Sequence, residues 1–347
     1  ALNQSSGMRS SAIGYDNNVT GNDSVALGLN NSSLADEATS VGIRSEAHAL
    51  HAYASGVEAK AEDEQSTAIG QQAYAQGTKS SALGFNTRTR SPNAVAVGYN
   101  TDARGTGTLA VGNDVEARDN NSLGFGYNVS VDGVQAAGIG SELSAVGEKA
   151  LALGHDNSAS DTRAFAIGSD ATASRARTLA IGHDGVSASA LDAIALGNKA
   201  SSSGLRSLAV GYDCEAITQD SLAIGNESRV TSNYASALGY KSQAQGNNST
   251  SVGYEAIARR NDSSAFGFQA DANSIGAHAF GNNVIARGRR SAAIGYNSTV
   301  DGDETIVIGS GLSATGENAF VGGYQSSAGG DLAVAIGTNV AGDGSRS

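Results

Sequence analysis

The sequence predicts an all-β chain: a parallel β-roll solenoid of about 24 coils, each made of a strand, a turn, a second strand and a second turn. Three observations carry this. A glycine recurs every fourteen positions from Gly14 to Gly182 and, after one extra residue, from Gly197 to Gly337. A fixed period is the signature of a repeat whose units bury their apolar faces only against their neighbours. Bulky and tiny residues alternate before each of these glycines, which is the mark of a strand with two different faces. Finally, 46 glycines with one proline and no tryptophan suit a narrow body with many turns.

The elements of one coil follow in order, counting the glycine as zero. In the first strand the residue before the glycine is apolar in 22 of 24 coils, and the one before that is Ala in 18. The small face must look at something very close. Asp16, Asn30, Asn86 and Asn100 mark the next turn, since Asn and Asp tolerate turn geometry. In the second strand the fifth position is mostly Ala and the third mostly small, while polar residues hold the second, fourth and sixth. The seventh position is Gly in 12 coils and is expected to supply the other turn. Fourteen residues make a flat coil with two strands of about five residues, stacked ~4.8 Å apart, whose interior admits Ala, Ser, Val and Gly.

The unbroken register argues for one elongated domain over residues 1–347. Neither end shows the atypical cap that solenoids need, so the chain reads as a piece of a longer protein. A formal charge of −12 argues against a general affinity for nucleic acid or anionic lipid. The single cysteine, Cys214, sits in a small-residue column and reads as buried filler. No apolar run approaches the ~20 residues of a membrane span, so no direct insertion by this segment is expected.

The bulky residues one and three before each glycine point out of the coil and stack into an apolar stripe ~110 Å long. A soluble monomer would not leave such a stripe exposed. Closed symmetry covers it, and three flat prisms enclose a common axis, although two could form a sandwich. The position three before the glycine is apolar through ten coils that include Leu109, Leu151, Phe165, Leu179, Ile194, Leu208 and Leu222. His278 takes the same axial slot near the C-terminal end and could hold an ion or act as a pH-sensitive ring if three copies converge.

The pentads Ser24-Val-Ala-Leu-Gly28, Thr108-Leu-Ala-Val-Gly112, Ala164-Phe-Ala-Ile-Gly168 and Ser221-Leu-Ala-Ile-Gly225 resemble the head repeats of YadA-like trimeric autotransporter adhesins. The resemblance covers nearly the whole chain. It implies a left-handed parallel β-roll, an intertwined homotrimer, and display on the outer membrane of a Gram-negative bacterium above a stalk and a membrane anchor that are absent from this sequence. A family motif associated with collagen adhesion is matched most nearly by Asp220 to Ser228, with Ser221, Asn226, Glu227 and Ser228 as candidate contacts. Most of the motif's side chains are also those that the fold itself would bury.

Other candidates are surface features. Arg90, Arg104 and Arg118 take the same outward position in successive coils, with Arg88 beside them; they suit either a glycan-catching patch or a salt-bridge ladder with Asp102 and Glu116. Arg259, Arg260, Arg287, Arg289 and Arg290 form a second basic cluster of the same kind. Tyr240, Tyr254 and Phe268 follow their glycines in consecutive coils and suit stacking or an exposed contact platform. His155 and His183 are two coils apart, ~9.6 Å, too far to share one ion. No catalytic, cofactor or metal constellation stands out. The sequence therefore predicts a non-enzymatic adhesive head that contacts a host matrix protein or a cell-surface glycan or receptor. The alternative is a phage tailspike acting on surface polysaccharide; an ice-binding solenoid would need threonine columns that this chain lacks.

Overall fold

A computed structural model describes residues 2–344. The chain divides after Asp170 into two compact units, and each is a parallel β-solenoid with about fourteen residues per turn. Within the first unit, Val95–Tyr99 pairs in register with Leu109–Ala117, which pairs with Leu123–Val131. Within the second, Leu208–Val210 pairs with Leu222–Ile224, and that with Ser236–Leu238. Around the one extra residue the register is fifteen, Leu179 opposite Ile194, and fourteen returns with Ile194 opposite Leu208. The first strand is three to five residues long in most coils, as expected. The second is shorter than expected, usually two residues such as Asp102–Ala103 or Glu215–Ala216. The turns on either side take up the rest of the coil.

The interior is a column of small side chains. Ala96, Ala110, Ala152 and Ala166 from the first strand meet Ala103, Ala117, Ala145 and Ala159 from the second, and all are fully buried. The expected list of interior residues was too narrow, because Leu143 and Leu312 are also buried, as are Asn17, Asn31 and Asn157. The asparagines fit because they bond the coil wall. Asn31 accepts from the Ser45 amide at 2.8 Å and donates to the carbonyls of Leu27 and Gly42, at 2.9 and 2.8 Å. Asn17 accepts from the Asn31 amide in turn, so a polar ladder climbs the inside of these coils with its hydrogen bonds made.

Among the described residues, coils of fourteen turn on two left-handed residues seven apart, the second and the ninth after the glycine, as in Asn86 and Asn93 (φ 51° and 57°) or Asp213 and Asp220 (φ 49° and 53°); after Gly182 the extra residue widens the pair to Asp184 and Asp192. No Val, Ile or Thr occupies either position, consistent with the steric cost of that region for β-branched residues. This corrects the role expected of the seventh position. Gly21, Gly77, Gly133 and Gly147 do not have left-handed φ; the left-handed residue of their turn comes two places later. They allow close approach instead, since a side chain on Gly77 would strike the Ser91 backbone of the next coil. At the eighth position Asn or Asp side chains tie coils together: Asp36 Oδ1 accepts the Asn22 amide at 2.7 Å, and Asp303 Oδ1 the Arg289 amide at 2.7 Å.

The zero-position glycine is fixed twice over. Gly126 has φ +136°, a conformation L side chains rarely adopt, and a Cβ there would overlap the carbonyl oxygen of Gly140 one coil on. Gly126→Ala is therefore expected to cost about 3 kcal/mol or more. Denaturant titration followed by circular dichroism checks this, and a wild-type midpoint would contradict it.

Candidate functional site

Three surfaces remain once the interior is filled. The first carries the residues one and three before each glycine. In the single chain Phe125 is 51% exposed, Phe165 38% and Leu109 36%, while Leu151, Leu179, Ile194, Leu208, Leu222 and His278 are half-buried. The fold cannot cover these side chains, because the strand's other face already fills the coil. His278 stacks on Phe280 at 6.1 Å between the in-register Ser264 and Ala292.

The second surface is the outer face of the second strand. Its arginines bind carboxylates in series: Arg90 to Asp102 at 3.1 Å, Arg104 to Asp102 at 2.9 Å and to Glu116 at 3.7 Å, Arg118 to Glu116 and, at 2.6 Å, to Asp132. Partly exposed pairs of this kind are each worth ~0–1 kcal/mol. Arg88 stands apart, with its guanidinium 5.7 Å from the centre of the Tyr74 ring. Tyr74 donates to Glu62 at 2.5 Å; burial and that bond push its hydroxyl up to about 12. Grooves run along this face on both sides of Arg88, lined by Glu62 and Tyr74 on one side and by Asn100, Asp102 and Glu116 on the other. In the C-terminal basic cluster Arg259, Arg287 and Arg290 are paired to Asp271, Asp301 and Glu304 at 2.9, 3.0 and 3.2 Å.

The third surface is the turn after the glycine. Tyr240, Tyr254 and Phe268 stack on one another at 5.0 and 4.9 Å, and Lys241 sits 5.1 Å over Tyr240. The rings cover each other's faces and present mainly their edges to solvent. A groove beside them is lined by Gln243, Ile257 and Ile285.

The motif-like stretch splits in two. Ser221 and Ser228 are buried and bond the backbone carbonyls of Thr218 and Gly225, at 2.6 and 3.5 Å. Asn226 is exposed and Glu227 half-buried, 3.5 Å from Lys241. Asp220 accepts from Nε and Nη2 of Arg206, each at 2.6 Å. His155 bonds Ser141 at 2.8 Å, and no group of three or more metal-ligating side chains occurs among the described residues. The signal for Arg88 lay in the sequence as a local charge count: residues 80–113 hold three arginines and one acid in a chain of charge −12.

A family model described as the YadA head domain repeat, in two copies, matches residues 5–31, 47–73, 64–87, 75–101, 91–114, 145–171, 162–184, 188–213, 219–242, 231–256, 244–270, 286–311 and 314–339. These stretches cover well over half of the chain. No curated protein matches it.

Cys214 is fully buried in the small-residue column, and burial pushes its thiol up to about 11. The thiolate is the reactive species, so at about pH 8 the native thiol stays protonated as well as shielded. Ellman's reagent is expected to leave native protein unlabelled and to react on denaturation; rapid native labelling would contradict this.

Proposed function

The chain belongs to the family of YadA head domain repeats, and on that premise we propose that it is the head of a trimeric surface adhesin. The observation that carries this reading is the apolar face of the first strand, open in the single chain over coil after coil. Three copies around an axis cover it, in the first unit with Leu109, Leu151 and Phe165 against the axis and in the second with Leu179, Ile194, Leu208, Leu222 and His278. The outer strand and the turns then face outward in triplicate, where weak individual contacts are multiplied by valency.

The head stands on the outer membrane of a Gram-negative bacterium and attaches, without catalysis, to host matrix or cell-surface molecules. Arg88, Arg90, Arg104 and Arg118 and the edges of Tyr240, Tyr254 and Phe268 are the surface offered to them. In the motif-like stretch only Asn226 and Glu227 can reach a ligand, because Ser221 and Ser228 are spent on the fold. A polysaccharide-cleaving tailspike is the weaker reading, since the coils carry no inserted loop beyond one added residue.

The two surfaces make separable demands. Leu151→Asp with Leu208→Asp is expected to break the oligomer and abolish attachment to matrix-coated wells and cultured cells. Wild-type attachment by the dissociated variant would remove trimeric valency from the account.

A further inference from the structure

We propose that Arg88 is the carboxylate-binding residue of an acidic-sugar site on the outer face, one that takes a uronic or sialic acid unit; this rests on the adhesin reading above. Arg88 lies directly opposite Asp102 in the strand register. That carboxylate is already held between Arg90 and Arg104, at 3.1 and 2.9 Å. Arg88 turns to the Tyr74 ring instead and forms no ion pair among the described residues, while every other arginine pointing out of this ladder has a carboxylate partner. A guanidinium braced on an aromatic ring keeps its planar fork of donors, which matches the two oxygens of a carboxylate.

The surroundings select what carries that carboxylate. Asn86 donates to Asn100 at 2.8 Å, and Asn100 donates to Asp114 at 2.5 Å, which commits an amide donor of each to the next coil and leaves the Asn86 carbonyl oxygen to accept. Asp114, Glu116 and Ser130 add further acceptors along the same groove. Acceptors beside an arginine suit a ligand that brings hydroxyl donors next to its acid group, as an acidic sugar does and an Asp or Glu side chain does not. A polysulfated chain fits poorly, because acids flank the island of residues 80–113 on both sides, Glu58, Glu62 and Glu64 before it and Asp114, Glu116 and Asp119 after it, and they repel a polyanion.

The test titrates the assembled protein with 3′-sialyllactose, a hyaluronan tetrasaccharide and lactose by NMR. Binding on the order of 1 mM is expected for one or both acidic sugars and none for lactose. Arg88→Gln is expected to weaken acidic-sugar binding about tenfold or more, and Arg88→Lys, which keeps the charge but not the fork, by several-fold. Arg177→Gln, which removes a carboxylate-paired arginine from another coil, should leave it within about twofold. Equal binding by wild type and Arg88→Gln, binding of lactose as tight as of the acidic sugars, or no binding by wild type would each overturn the site. Attachment to cultured cells keeps the two readings apart: cells held equally well by wild type and Arg88→Gln contradict the site alone, whereas sugar binding as expected without any cell attachment upholds the site and removes the adhesin reading.

Discussion

The structure depends on how closely one coil's backbone lies against the next. A glycine at every fourteenth position leaves its missing side chain's space to the carbonyl oxygen of the following glycine, as Gly112 does for Gly126. Its φ of +137° closes the same position to other residues. Pitch and turn are therefore set by one atom's absence. Once they are set, the interior is so thin that alanine fills it, and each coil gains most of its burial by stacking on neighbours.

A thin interior also determines what the outside must do. Alanine faces bury little apolar area, and apart from Leu143 and Leu312 the bulky apolar residues are mostly carried on the opposite side of the first strand. There they need a partner surface. The outer strand has no such need and carries charge: the column of Arg90, Arg104 and Arg118 is matched by Asp102, Glu116 and Asp132, so that each guanidinium has a carboxylate partner. On the proposed reading, one face joins copies while another stays free for recognition.

Much of this was legible in the sequence because a period exposes geometry directly. The glycine spacing gives coil length, and the Ala column with its bulky neighbours gives the two faces of the first strand. The second strand was misjudged because polar turn residues continue its alternation, while hydrogen-bonded pairing holds only for two of them, as in Glu215–Ala216. The left-handed residues were missed for a related reason. Lys79, Arg163, Tyr234 and Leu332 all adopt left-handed φ without being the usual turn formers. The visible rule is an absence, no β-branched residue at two positions, and absences are hard to read from one sequence. The polar ladder of Asn17 and Asn31 escaped because asparagine in a small-residue column looks like a turn residue until its partners one coil away are seen. At the outer face, spacing identified the arginines, but only side-chain geometry separates Arg88 from its paired neighbours.

The central claim is that the apolar face of the first strand is covered by copies of the same chain about a threefold axis. Multi-angle light scattering on the purified chain, across a wide dilution range, tests it most directly. The account predicts a single species of three times the chain mass that persists on dilution. A stable, soluble monomer, or a dimer, would contradict it.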